Sequence, residues 1–183
     1  MVNLRCAEER DIDGVNKIID LLQVSRQQED WQRAKSGLFE YPKTREELLL
    51  ALNPYFIVAE TLDGIRGYTL AYNSTFFRKM FADSEHLEYR FVLDKVGGDF
   101  LYVDQMGVLN PETLGAGRIA KALIDNAINH GRADGLGKIF TFVCHKPLFN
   151  ERSANFARRF DFINTREVKI ENGIILGSYE RQV

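Results

Sequence analysis

The stretch from Phe100 to Gly135, FLYVDQMGVLNPETLGAGRIAKALIDNAINHGRADG, constrains the fold more than any other part of the chain. An apolar run from Phe100 to Val108 reads as a buried strand. A loop follows with Asn110-Pro111 and two glycines, Gly115 and Gly117. Ile119, Leu123, Ile124, Ala127 and Ile128 then recur at helical spacing. The order is strand, glycine turn, helix. The first amides of a helix lack partners within it, and its dipole favours negative charge. Glycine lets a backbone approach a ligand closely. The ligand expected at this turn is a phosphate or pyrophosphate. The turn is neither a Walker loop nor a full dinucleotide fingerprint, and taken alone it is equally well ordinary turn chemistry.

The rest of the chain supplies context. Val2 to Cys6 reads as a short strand, and Asp11 as the N-cap of a helix carrying Ile12, Val15, Ile18, Ile19 and Leu22 on one stripe. Gln23 to Tyr41 is mixed and reads as either a helix or a surface loop. Thr44 to Glu47 is a capping box for the apolar run Leu48 to Leu52, which Asn53-Pro54 ends. Tyr55 to Glu60 and Ile65 to Tyr72 form a hairpin around Leu62-Asp63-Gly64. Asn73 to Asp99 is aromatic-rich and reads as a helical excursion or lid, or as packing aromatics. Lys138 to His145 is a strand, Asn150 to Phe160 a short helix, and Val168 to Glu180 a closing hairpin turning at Asn172-Gly173. The class is α/β (α+β): a mixed, largely antiparallel sheet of about seven strands with flanking helices, one βαβ unit at its centre and hairpins at both ends. One domain over 1–183 is expected. A ligand is expected at the carboxyl ends of the strands beside that unit.

Composition narrows the function. A net charge of −2 and a pI near 6.0 leave no basic footprint for nucleic acid. Cys6 and Cys144 make no disulfide framework, and the three histidines have no metal-ligand spacing. No apolar run approaches the roughly 18 residues of a membrane span, and the first residues do not read as a signal peptide. A cytoplasmic, metal-free protein is expected.

The element order resembles the GNAT N-acetyltransferase superfamily over nearly the whole chain. Three features carry the likeness. Val108-Leu-Asn-Pro111 precedes the glycine turn and the helix Ile119-Ala120-Lys121-Ala122-Leu123, where the family has Gln/Arg-x-x-Gly-x-Gly/Ala. Asn150-x-x-Ser153-x-x-Phe156, ending in Phe162, is similar to the family's Asn-x-x-Ala/Ser helix closing on Gly-Phe. Phe100-Leu-Tyr-Val-Asp-Gln is similar to the Tyr-Val-Asp-Arg strand of a predicted acetyltransferase subgroup. There are departures. Matched backwards from Ala120, the family's middle Gly falls on Arg118 and its Gln/Arg on Gly115; matched forwards from Gly115, its Gln/Arg falls on Glu112. Ala157 stands where the family often has Tyr, and Asp161 where it has Gly.

The resemblance implies the GNAT acyl-CoA N-acyltransferase fold and an enzyme that moves acetyl from acetyl-CoA, its co-substrate, to a primary amine of a small molecule or amino acid. Its rivals are a non-catalytic acyl-CoA-binding regulatory domain and a peptide or protein N-acetyltransferase. The implied partners are acetyl-CoA and a small amine, with no nucleic acid or membrane and with a homodimer left open. Implied at the cofactor are Met106, Gly107, Val108, Gly115, Ala116, Gly117, Arg118, Ile119, Ala120 and Asn150. Arg118 is a phosphate ligand or an exposed helix arginine, and Asn150 a strand or CoA ligand or a helix cap. The chemistry asks for a proton acceptor, because an alkylamine of pKa about 10.4 is almost wholly protonated at neutral pH. It also asks for oxyanion donors, which a bulged strand amide near Met106 to Val108 would supply.

Asp104 is the first candidate for the base, since an apolar strand makes a carboxyl a stronger proton acceptor. A structural Asp paired with a cation is the alternative. Tyr102, two residues away on the same face, is a candidate acid or a core residue. His145, at the end of the next strand, is the third candidate, against an ordinary strand-end histidine.

Overall fold

The computed structural model describes residues 2–23, 42–111, 113–147, 149–170 and 173–183. Seven strands follow the sheet order β1-β2-β3-β4-β5-β7-β6. They are β1 (Asn3–Cys6), β2 (Ile57–Thr61), β3 (Gly64–Asn73), β4 (Phe100–Val108), β5 (Lys138–Lys146), β6 (Ile163–Lys169) and β7 (Ile175–Gln182). The helices are α1 (Ile12–Leu22), α2 (Arg45–Leu50), α3 (Ser74–Phe81), α4 (Leu87–Lys95), α5 (Ala116–Ala133) and α6 (Glu151–Arg159). The β1–β2, β2–β3, β5–β7 and β6–β7 ladders are antiparallel, and β4–β5 is parallel around α5. The sheet is thus mixed, with the central βαβ unit expected. The chain divides into two compact units, one from Met1–Ala71 with Asp104–His130, the other from Tyr72–Val103 with Gly131–Val183.

In the first unit, α1 buries Ile12, Val15, Ile18 and Ile19, as its stripe requires. Asp11 stands at the helix start but makes no side-chain cap bond. Its carboxylate instead accepts two bonds from Arg5, at 2.6 and 2.8 Å, and one from the Glu8 amide. Arg5 also donates to Glu60 at 2.9 Å. A two-bonded guanidinium–carboxylate pair outcompetes a single cap bond to an amide. The capping box forms as read: Thr44 Oγ1 accepts from the Glu47 amide, and the Glu47 carboxylate accepts from the Thr44 amide. The helix stops at Leu50, two residues short of the expected end. Asn53 explains this, since its side chain takes the Ala51 and Ala71 carbonyls and the Tyr55 amide.

Helix α5 lies directly on β3. A Cβ at Gly67 would stand 2.9 Å from Ile119 and 3.1 Å from Leu123. Ile57, Ala59, Val108, Ala116 and Leu123 form the core beneath the helix, with Leu4, Met106, Ile119 and Ala120 packed on it. On the other side Gly107 leaves room for Tyr68 and for Ile18 of α1.

In the second unit, the aromatic excursion forms two helices and its aromatics pack. Asn73 caps α3 through the Phe76 amide. Phe77 is fully buried, edge-on to Tyr89, Phe100 and Tyr102. Tyr102 stacks on Phe140 with centroids 5.0 Å apart. Strand β6 begins at Ile163, five residues before the strand expected at Val168. All but one of its residues are exposed, so it carries no apolar alternation to read. Its ladder with β7 defines it. The expected turn residue Asn172 lies outside the described residues.

Candidate active site

The site in the first unit begins where a ladder ends. β4 and β5 pair only through Phe100, Leu101 and Tyr102. Among the described residues, the β4–β5 ladder includes none of Asp104 to Val108.

The loop beyond β4 is tightly pinned. The Leu109 amide donates to the Arg66 carbonyl at 2.8 Å, and Asn110 takes a positive φ of 49°. The Asn110 carbonyl accepts from both the amide and the hydroxyl of Thr113. Gly115 has φ +97°, a conformation that side chains resist, and its carbonyl accepts from the amides of Arg118 and Ile119. Gly115 therefore starts α5. Gly117 is different. It has an ordinary φ, and a Cβ built there would meet nothing within 4 Å. The chain's own packing gives no reason for glycine at 117. Its N–H has no backbone acceptor among the described residues. An exposed glycine at the N-terminus of an eighteen-residue helix is suited to an anion.

At several of the sequence-implied positions the side chain is committed to packing, so only the backbone remains for a ligand. The side chains of Met106, Val108, Ala116, Ile119 and Ala120 belong to the core beneath α5. Arg118 is exposed. Asn150 lies in the second unit, where its Oδ1 accepts from the Ser153 amide at 3.0 Å and its amide donates to Cys144. It thus works as a helix cap and a strand tie.

The three candidates for acid–base chemistry are not equivalent. Asp104 is in the first unit, with Lys43 Nζ 3.3 Å from its Oδ2. Beside it on β4, Gln105 accepts a bond from the buried Tyr68 hydroxyl at 3.0 Å. Burial pushes the Tyr68 hydroxyl well above the ordinary tyrosine value, and the Asp104 charge adds to the shift. Tyr102 and His145 are in the second unit. Tyr102 donates to the Glu88 carboxylate. His145 places Nδ1 3.0 Å from Glu167 and Nε2 3.3 Å from the Tyr179 hydroxyl. Lys43, Glu88 and Gln105 escape a sequence reading because no local pattern ties them to a partner so far away in the chain. Among the described residues no group of three His, Cys, Asp or Glu side chains could hold a metal ion.

No family model matches the sequence, and no curated protein matches it. Solved structures do match. Ard1 from Thermoplasma volcanium superposes with a TM-score of 0.67 at 12% identity, over 100% of this chain and 97% of that one. The chain has the GNAT N-acetyltransferase fold. Arabidopsis thaliana NAA60 in complex with acetyl-CoA matches with a TM-score of 0.67 at 14% identity, both chains covered in full at 100%. The Drosophila melanogaster polyamine N-acetyltransferase, which forms N-acetylagmatine, matches with a TM-score of 0.65 at 12% identity, again over 100% of both chains. At such identities the likeness to GNAT enzymes is one of fold.

Proposed function

We propose that the protein is an acyl-CoA-dependent N-acyltransferase that moves acetyl from acetyl-CoA to the primary amine of a small molecule. The observation that carries this reading is one continuous run of backbone. The β4 edge, free of a β5 ladder from Asp104, leads through a pinned loop into the open Gly117 amide at the start of α5. The Gly117 amide and the helix N-terminus hold the pyrophosphate, and the exposed Arg118 adds a cation. The amides of Met106 to Val108 steady the thioester oxygen as negative charge grows on it. The amine nitrogen forms its bond to the acetyl carbon as the carbon–sulfur bond breaks, and CoA leaves as the thiol after protonation. Asp104 takes the acceptor's proton. Asp104 is preferred to Tyr102 and His145 because it lies in the first unit, on the strand that carries Met106 to Val108, although Lys43 pairs with it.

The test is calorimetry with acetyl-CoA and with free CoA, on the protein and on Gly117→Asp, which would set a carboxylate against the pyrophosphate. Binding that the variant loses, together with amine-dependent CoA release, is the expected outcome. Binding without release under any primary amine would make the chain a regulatory domain. No binding by folded protein would refute the reading.

A further inference from the structure

Tyr68 enters no reading of the sequence, yet it meets β4 at two residues of one face. Its hydroxyl donates to Gln105 Oε1 at 3.0 Å. Its ring takes the place of a side chain at Gly107. A Cβ there would stand 2.8 Å from Tyr68 Cε1, 2.9 Å from Ile18 Cγ2 and 3.2 Å from Leu22 Cδ1. Residues two apart on a strand share a face, so one tyrosine reads both positions from the α1 side. Met106 and Val108, on the other face, pack into the core beneath α5. Tyr68 is fully buried on β3, and Gln105 is buried on β4. A slip of β4 by one residue would bring Met106 or Val108 under the Tyr68 ring and turn Gln105 towards α5. The glutamine and the glycine together therefore admit one register. Burial, with the Asp104 charge adding to it, pushes the Tyr68 hydroxyl well above the ordinary tyrosine value, so it remains a donor at neutral pH.

We propose that Tyr68 is a positioning residue for acetyl transfer. From the α1 side it fixes the β4 segment Asp104–Val108, and so sets where the Met106 to Val108 amides and the Asp104 carboxylate stand. This rests on the reading of those groups as oxyanion donors and base. The β4–β5 ladder stops at Tyr102, so ladder bonds to β5 do not set the course of this segment. Gln105 is the residue between the base and the first of the donors, and a bond that holds its side chain acts on both neighbours through one peptide unit each. A phenylalanine would fill the same volume as the Tyr68 ring; the hydroxyl is what reaches Gln105. The Gly117 amide lies beyond the pinned loop that follows β4. Tyr68 therefore governs the rate of transfer and leaves the hold on the pyrophosphate intact.

The experiment compares the wild type with Tyr68→Phe, Gln105→Met and the two combined. Each is measured by calorimetry with acetyl-CoA, by CoA release with n-propylamine as acceptor, and by hydrogen exchange along β4. In Tyr68→Phe, kcat should fall on the order of tenfold, short of the roughly hundredfold that a 1 Å misplacement costs. Its acetyl-CoA affinity should stay as in the wild type, and the amides of Met106 to Val108 should exchange faster. Gln105→Met should lose as much, and the double variant no more than either, because each change removes the same bond. A tyrosine that only packs would lower the melting temperature and leave kcat per folded molecule unchanged. Unchanged kcat in folded Tyr68→Phe, equal losses in kcat and acetyl-CoA affinity, or losses that multiply in the double variant would overturn the proposal. Should Gln105→Met fail to fold, Tyr68→Phe decides alone by kcat and exchange. Absent acetyl-CoA binding or CoA release in the wild type would count against the acyltransferase reading instead. Exchange then still decides for Tyr68: faster exchange confined to Met106 to Val108 supports the tie, and unchanged exchange refutes it.

Discussion

Gly67 and Gly117 lie on either side of the same helix start, and they should respond oppositely to one added methyl group. In Gly67→Ala the new Cβ would sit 2.9 Å from Ile119 Cγ2, 3.1 Å from Leu123 Cδ1 and 3.1 Å from the Gly107 carbonyl oxygen. Carbon atoms in good contact stand about 3.5–4.0 Å apart. The Leu123 end can rotate away, but Ile119 Cγ2 is a branch on Cβ with little χ1 freedom, and the Gly107 carbonyl closes the space from β4. Helix α5 must therefore back away from β3. Overpacking of this kind costs about 1–3 kcal/mol. The same movement displaces the Gly117 amide, so acetyl-CoA affinity should fall as well. Gly117→Ala has the reverse character. The methyl meets nothing within 4 Å, and the backbone there is compatible with any residue. Alanine in a helix is favoured over glycine by up to about 1 kcal/mol. Stability should hold or rise slightly, while acetyl-CoA affinity falls because the methyl stands where the pyrophosphate approaches. Urea unfolding followed by circular dichroism, with calorimetry of acetyl-CoA on the same samples, separates the cases. A Gly67→Ala protein within about 0.5 kcal/mol of wild type would refute the packing argument. A Gly117→Ala protein that binds acetyl-CoA as tightly as wild type would refute the cradle.

The Arg5 hydrogen bonds, reinforced by the Glu8 amide, hold the Asp11 carboxyl below the usual aspartate range despite its burial. A depressed carboxyl contributes stability above the unfolded value of about 3.9 and loses it as pH falls through that value and below. Asp11→Asn should therefore destabilise at pH 7 and flatten the loss of stability below about pH 4, as measured by melting temperature across a pH series. Leu123 is fully buried at the centre of the core beneath α5. Leu123→Ala should cost about 2–5 kcal/mol in urea unfolding. Asp104→Asn should lower turnover with a primary amine far more than it lowers acetyl-CoA affinity, and equal losses in both would point to a purely structural carboxylate.

What the sequence makes legible is what local physics decides. Strand β4 spans Phe100–Val108 as read, because nine consecutive residues carry the pattern of a buried strand. Helix α5 follows because its apolar stripe is strong and Gly115 supplies a turn that side chains resist. Leu62-Asp63-Gly64 announces its hairpin for the same reason. Long-range partners decide the rest. Strand β6 is invisible because an exposed edge strand has no apolar alternation, and only β7 tells it where to begin. Asp11 looks like a cap until Arg5 arrives from β1. The aromatic excursion is ambiguous because the same rings would suit a lid or a core, and only their packing against Tyr102 and Phe100 decides. Lys43 sits between a segment of mixed pattern and a capping box, and nothing nearby points to a carboxylate sixty residues on. The segment read as helix or loop, 23–41, lies outside the described residues apart from Gln23.

That the site is made of backbone explains why its fold outlives its sequence. In the proposed site the donors to the pyrophosphate and to the oxyanion would be the amides of Gly117 and of Met106 to Val108, and the loop between them is held by carbonyls of Arg66, Asn110 and Gly115. None of these bonds requires a particular side chain, apart from the glycine that takes φ +97° and the one that leaves its amide clear. The side chains at the same positions answer to the core: Met106, Val108, Ala116, Ile119 and Ala120 need only fill the volume between α5 and the strands. Cores accept many combinations of the right total volume. Under this constraint two chains can share the fold, superposing at a TM-score of 0.67, with only 12% identity. It can also carry Arg118 on the first turn of α5, because an exposed side chain there leaves the backbone in place. The base proposed at Asp104 would be the exception, since proton transfer needs a titratable group that no amide can replace. Under that reading, substitution elsewhere along the glycine turn should be silent so long as Gly115 and Gly117 remain.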